Sequence, residues 1–123
     1  MSFSTATMPG GNAVEIVVEG DLCQDDRKNV LMQAANILCA GASDRLLLDI
    51  TRAAVPHEPT MSDALDLVLY MGDLHFPKHA RVAFVYREKD KLLVFFESAA
   101  QCGGYTLKTF VSKDRALEWL CGG

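Results

Sequence analysis

The chain has 123 residues, of which 50% are hydrophobic and 23% are charged, and its formal net charge is −4. These values predict one globular domain over residues 1–123 and exclude a disordered chain. The negative net charge and the scattered Lys and Arg residues argue against nucleic-acid binding. No apolar run reaches the roughly 18 residues of a membrane span, and the first residues lack a secretory pattern, so we expect a cytoplasmic protein without integral membrane association.

In chain order, the first half of the sequence predicts two strands, a helix and a third strand. Residues 3–8 indicate a weak strand, a Pro-Gly-Gly-Asn turn follows, and the β-branched residues of 13–19 indicate a second strand. Apolar residues at helical spacing predict a helix over 24–40, which Gly41 ends. The apolar run RLLLDI at 45–50 is typical of a strand that is buried on both faces of a sheet.

A second helix is predicted after a proline-containing loop. Ser62 is its predicted N-cap, and the helix must end before Pro77, because helical backbone is disfavoured ahead of a proline. The remaining segments alternate between strand and helix: strand 81–86, helix 89–102, strand 105–110 and helix 113–120. The LLVFF run in the third helix is also compatible with a strand, and Ser112 is the predicted N-cap of the last helix.

The predicted order is β-β-α-β-α-β-α-β-α, which is the pattern of the α/β class. Strands that alternate with helices imply right-handed crossovers and a mixed, mostly parallel sheet. Four stretches in this order carry a likeness to a known fold: VVEGDL at 17–22, RLLLDI at 45–50, RVAFVY at 81–86 and KTFVSKDRALEWL at 108–120. Through them the chain resembles the STAS domain, the fold of bacterial anti-sigma-factor antagonists, and most closely the stand-alone SpoIIAA-like proteins.

The resemblance implies a regulatory site at the start of the second helix. In the antagonist branch, a serine of an Asp-Ser-Ser-Gly type motif follows the Leu-rich strand and is phosphorylated by a partner kinase. Ser62 stands at the corresponding helix start, within TRAAVPHEPTMSDALDL at 51–67, although the motif around it is absent and the loop is longer. Ser62 is therefore a candidate phospho-acceptor as well as the predicted N-cap.

Three histidines are the first candidates for metal or catalytic chemistry. His75 and His79 have H-x-x-x-H spacing, but Pro77 between them breaks the helix that would place both imidazoles on one face, so we interpret them as loop histidines. His57 and Glu58 follow the 45–50 strand at its carboxyl end, where open α/β sheets tend to bind ligands. A surface loop is the favoured interpretation of this pair.

The four cysteines stand far apart without a C-x-x-C pair: Cys23, Cys39, Cys102 and Cys121. Without a secretory signal, and with a chain long enough for a core, we expect four free thiols that are buried in the apolar interior. No His lies next to any of them in sequence, so the sequence itself indicates no base that would activate one of the thiols. The sequence therefore predicts no catalytic residue, no cofactor and no metal site.

The second and third helices have unusually wide apolar arcs. Residues 61–71 sweep about 200° and residues 92–102 about 180°, whereas packing against one side of a sheet needs a stripe of little more than about 100°. The surplus predicts an exposed apolar patch, which a homodimer would cover. The candidate interface residues are Leu67, Leu69, Tyr70, Met71, Leu93 and Phe96.

These expectations favour a non-catalytic protein-interaction or regulatory module that binds an unidentified protein partner and a second copy of itself. The first alternative is a carrier of a small apolar ligand or lipid, held in a pocket between the helices and the sheet. An enzyme that uses Cys or His comes third. An exposed apolar helix face without an enclosed cavity would favour the module, a closed apolar pocket the carrier, and a His within hydrogen-bond reach of a Cys the enzyme.

Overall fold

The computed structural model describes residues 2–7, 13–41, 43–54, 60–87 and 91–122, with only the backbone described at 91 and 92. The elements follow the predicted order: β1 (Ser2–Thr7), β2 (Val14–Asp21), α1 (Gln24–Cys39), β3 (Arg45–Ala54), α2 (Met61–Asp73), β4 (Arg81–Val85), α3 (Lys91–Cys102), β5 (Thr106–Phe110) and α4 (Lys113–Cys121). The LLVFF run is helical, as part of α3. The predicted turn at 9–12 and the loop residues 55–59, which include His57 and Glu58, lie outside the described residues.

The strands form one sheet in the order β1-β2-β3-β4-β5. β1 runs antiparallel to β2, and the other neighbouring pairs are parallel, which confirms the mixed, mostly parallel sheet. Because β2 to β5 are neighbours in chain order, right-handed crossovers place α1, α2 and α3 on the same face of the sheet. α4 follows the last strand and packs on the opposite face, against β3, β4 and β5.

β3 is longer than the apolar run that predicted it, because it continues past Ile50 to Ala54. A register shift in β2 between Val17 and Glu19 keeps the two strands paired beyond this point, with Asp21 opposite Ala54. The residues of this extension are exposed or half-buried. The apolar pattern therefore marks only the buried part of the strand.

Alternating side chains of the central strands enter two separate cores. Leu46 and Leu48 face α1, α2 and α3, whereas Leu47 packs with Ala116 and Leu120 beneath α4. All three leucines are fully buried. This arrangement confirms that RLLLDI is buried on both faces of the sheet.

Three helices end at a residue whose backbone is in the left-handed region. These residues are Gly41 after α1 (φ 78°), His75 after α2 (φ 54°) and Gly104 after α3 (φ 91°). At the end of α2, the N–H of His75 donates to the carbonyl of Gly72 (3.1 Å), and the N–H of Phe76 donates to that of Met71 (3.0 Å). This pair of hydrogen bonds ends a helix when the residue at the His75 position adopts positive φ.

The N-cap of α2 is Thr60, and the prediction of Ser62 as the cap is wrong. The N–H of Asp63 donates to Oγ1 of Thr60 (3.2 Å), and the N–H of Thr60 donates to Oδ2 of Asp63 (2.9 Å). This reciprocal capping box starts the helix at Met61 and makes Ser62 its second residue. The predicted cap of α4 is confirmed, since Oγ of Ser112 accepts a hydrogen bond from the next turn.

Candidate functional site

Most of the predicted interface residues lie inside the monomer. Leu67, Met71, Leu93 and Phe96 are each at most 4% exposed and belong to the core between the helices and the sheet. α2 contacts both α1 and α3, and its buried residues belong to the same core as side chains of the central strands. The wide apolar arc is satisfied within one chain, and the assignment of these four residues to an interface is wrong.

The outer surface of α2 nevertheless carries a row of large apolar side chains. Met61 is 55% exposed, Leu65 is 51% exposed and Leu69 is 71% exposed. Their spacing of four residues aligns them along the helix, and we call them the α2 ridge. Leu69 was among the predicted residues, and the recurrence at every fourth position is the sequence signal for Met61 and Leu65.

A polar clamp joins α2 to α1 beside the ridge. Nζ of Lys28 lies 2.9 Å from Oδ2 of Asp66, and Nε2 of Gln24 donates to the same oxygen (3.2 Å) and to the carbonyl of Asp63 (2.9 Å). The predicted residue Tyr70 is half-buried, and Nζ of Lys28 lies 5.6 Å from its ring centroid. These contacts fix the position of α2 against α1.

The clamp changes the proton affinities of its two charged groups. The hydrogen bond with Lys28, followed by the one with Gln24, lowers the pKa of the Asp66 carboxyl below 3.8. The hydrogen bond with Asp66 raises the pKa of the Lys28 ammonium above 10.5. Both shifts favour the ion pair, so the clamp is in its charged form at neutral pH.

An apolar cavity of about 60 Å³ lies between the three helices and the carboxyl ends of the strands. Its lining includes Leu31, Leu67 and Phe96, together with Arg27, whose Nη1 donates to Oε1 of Gln24 (3.1 Å). An apolar cavity that holds a benzene molecule measures about 150 Å³. The cavity is therefore too small for a lipid chain without rearrangement of the helices.

The four thiols are exposed, which contradicts the expectation of buried cysteines, and none forms a disulfide. The physical reason is that each of them lies at a helix end: Cys23 is the N-cap of α1, and Cys39, Cys102 and Cys121 end α1, α3 and α4. Sγ of Cys23 donates to Oδ2 of Asp26 (2.9 Å), and this hydrogen bond lowers the pKa of the Asp26 carboxyl. The periodicity that assigns a cysteine to the apolar face of a helix therefore does not determine whether that cysteine is buried when it lies at a helix end.

His75 and His79 are exposed in the turn between α2 and β4. This position confirms the interpretation of both as loop histidines. Within the described residues, no group of three or more His, Cys, Asp or Glu side chains could hold a metal ion. Among the described helices, none combines the length and apolar character needed to cross a membrane.

Solved structures provide the comparison for this arrangement. The unphosphorylated anti-sigma factor antagonist SpoIIAA superposes with a TM-score of 0.58 at 15% identity, over 99% of this chain and all of that chain. An uncharacterised DUF3478-family protein from Shewanella loihica PV-4, with a SpoIIAA-like fold, superposes with a TM-score of 0.56 at 23% identity, over 98% of this chain and 93% of that one. No protein-family profile and no curated protein matches the chain. Together with the element order and strand topology, these structures show that the chain has the SpoIIAA-like fold of the STAS domain.

Proposed function

We propose that the protein is a non-catalytic interaction module, located in the cytoplasm, that docks another protein on the α2 ridge. The observation that carries this proposal is the row of three side chains, each at least 51% exposed, on a helix whose other apolar residues are buried or half-buried. Removing the exposed part of each side chain from water contributes about 1 kcal/mol. A partner with an apolar groove, or with an amphipathic helix of its own, gains this energy at little conformational cost to α2, which the clamp holds in place.

Charge around the ridge defines the rim of this partner surface. α2 contains Asp63, Asp66 and Asp73 and neither Lys nor Arg. Asp63 caps the helix and Asp66 is paired with Lys28, while Asp73 is exposed at the other end. A complementary partner has apolar side chains at the centre of its surface and a Lys or Arg at the rim.

Ser62 is the proposed point of regulation. It is exposed in the first turn of α2, directly after Met61 of the ridge. A phosphate there adds a charge of about −1.5 to −2 and is stabilised by the positive end of the helix dipole. This charge would weaken docking of a partner whose apolar surface covers Met61, because the phosphate would have to lose water there. Phosphopeptide mapping of protein from its native cells tests the proposal, because absence of phosphate at Ser62 under all growth conditions would contradict it.

The docking proposal is tested with Leu69→Asp. Proteins that co-purify with the wild type from native extract are identified by mass spectrometry, and the affinity of each purified candidate is then measured by calorimetry. We expect at least a tenfold loss of affinity, or about 1.4 kcal/mol, because a carboxylate replaces the most exposed apolar residue of the ridge. Ser98→Asp, which adds the same charge at an exposed position on α3, should bind like the wild type. Equal binding by the wild type and Leu69→Asp would contradict the proposal.

Self-association remains part of the proposed function, although the burial of Leu67, Met71, Leu93 and Phe96 removes the surface that was first assigned to it.

A carrier of a small apolar ligand is the second candidate function, because the cavity is apolar and lies at the carboxyl ends of the strands. Its small volume makes it the weaker one. Thermal unfolding with and without a medium-chain fatty acid as the probe tests it, since a ligand that the helices rearrange to admit raises the unfolding temperature.

A further inference from the structure

The two edges of the sheet differ in how their backbone groups are satisfied. At β5, the N–H of Thr109 donates to Oε1 of Glu97 (2.8 Å), and Nε2 of Gln101 donates to the carbonyl of Leu107 (3.0 Å). The carbonyl of Phe110, the residue after Thr109, accepts a hydrogen bond from the N–H of Tyr86, so the backbone of Phe110 faces β4. Leu107 and Thr109 therefore face outward, and two side chains of α3 occupy the hydrogen-bonding groups at this edge.

β1 forms the opposite edge of the sheet. All six of its residues pair with β2, and within the described part of the chain no other strand and no side chain forms a hydrogen bond with them. Five of the six are exposed, and Phe3 is half-buried. Half of the backbone groups of an edge strand point away from its neighbour. No described residue occupies these groups at β1, which can therefore pair with a further strand.

The sequence of β1 contains none of the devices that usually prevent strand addition. Its residues, SFSTAT, include no charged residue and no proline, although Lys, Glu and Pro are the residues that commonly block a sheet edge. Four of its six residues are Ser or Thr, whose small side chains leave room for a neighbouring strand at this edge.

A second copy of the chain fits this edge on electrostatic grounds. An antiparallel pair of identical strands is self-complementary across a two-fold axis, and two uncharged strands meet without repulsion. The nearest carboxylates, on β2, are Glu15 and Glu19, which are paired with Lys113 and Arg52. The two β2 strands would lie three strand spacings apart, about 14 Å, which exceeds the Debye length of about 8 Å at physiological salt.

We propose that a second copy of this chain adds to the sheet at β1, with the two β1 strands antiparallel across a two-fold axis. The product is one continuous sheet with a β5 strand at each outer edge. At both edges, side chains of α3 form hydrogen bonds with the outward backbone groups of β5. This surface is separate from the α2 ridge, so a dimer leaves both ridges available for docking.

Sedimentation equilibrium of the full chain tests the proposal. The weight-average mass should rise with concentration from 13.5 kDa toward twice that value. Thr5 lies near the middle of β1, so Thr5→Lys brings two positive charges together across the axis and should weaken association at least tenfold. Thr106→Lys, the same change on the closed edge strand, should leave association unchanged. Hydrogen exchange of the β1 amides should slow as the wild-type concentration rises.

Three outcomes would overturn the proposal: a concentration-independent monomer, equal weakening by Thr5→Lys and Thr106→Lys, or association that Leu69→Asp removes and Thr5→Lys leaves intact. The last result would place the dimer on the α2 ridge. If Thr5→Lys lowers the unfolding midpoint, Ser4→Lys replaces it, because neighbouring residues of a strand point to opposite faces. The hydrogen-exchange measurement needs no variant and is independent of this choice.

Discussion

His75 occupies a backbone conformation that costs an L-amino acid about 1–2 kcal/mol and that glycine adopts without strain. The equivalent positions after α1 and α3 are Gly41 and Gly104. Among the described residues, none forms a hydrogen bond with the side chain of His75, which is exposed; the hydrogen bond described for this residue is donated by its backbone N–H. The end of α2 is therefore a site of local strain that a single substitution can remove.

We expect His75→Gly to raise the free energy of unfolding by about 0.5–1 kcal/mol, because the relief of strain exceeds the entropy that glycine adds to the unfolded chain. Gly41→Ala is the matched control and should lower it by about 1 kcal/mol, since no described atom beyond the two neighbouring residues lies within 4 Å of the added Cβ and only the backbone conformation is affected. Urea unfolding with an unchanged m-value measures both. A lower midpoint for His75→Gly would show that the imidazole makes a stabilising contact.

At the scale of elements, the position of α2 depends on the clamp to α1 as well as on its buried face. The carboxyl of Asp66 has a folded-state pKa below its unfolded value of 3.8. Its contribution to stability is therefore present above about pH 4 and is lost as the pH falls through the folded pKa. The ammonium of Lys28 has a folded-state pKa above 10.5. Its contribution is present below that pH and is lost as the pH rises through the folded value.

Asp66→Asn removes the charge while preserving the size of the side chain. We expect a lower urea midpoint than that of the wild type at pH 7, and a difference that disappears at a pH low enough to protonate Asp66 in the folded protein. Asp73→Asn, at an exposed position on the same helix without an ion pair among the described residues, should show neither effect. A difference that persists unchanged at the lowest pH would mean that the carboxylate charge is not what stabilises the clamp.

At the scale of the whole molecule, the sheet carries three helices on one face and one on the other, and this arrangement explains what the sequence could and could not predict. Hydrophobic patterning identified the elements that bury a face, whereas β1, which is mostly exposed, was predicted from its place before the Pro-Gly-Gly-Asn turn. The patterning could not show that α2 lies between two other helices, so the buried Leu67 and Met71 were assigned to an interface. The Thr60-x-x-Asp63 capping box was visible in the sequence, whereas the closure of β5 by Glu97 and Gln101 depends on packing between elements.

The location of the cysteines at helix ends has a practical consequence. Four exposed thiols, none of them in a disulfide, serve as natural reporters of fraying at the ends of α1, α3 and α4. We expect a thiol-specific reagent to titrate four groups in the native protein and the same four after denaturation without reductant. Two or fewer groups in the denatured protein would contradict free thiols, and slow native labelling would contradict exposure. The rate at each position, followed by mass spectrometry, then reports how partner binding changes each helix end, without any engineered label.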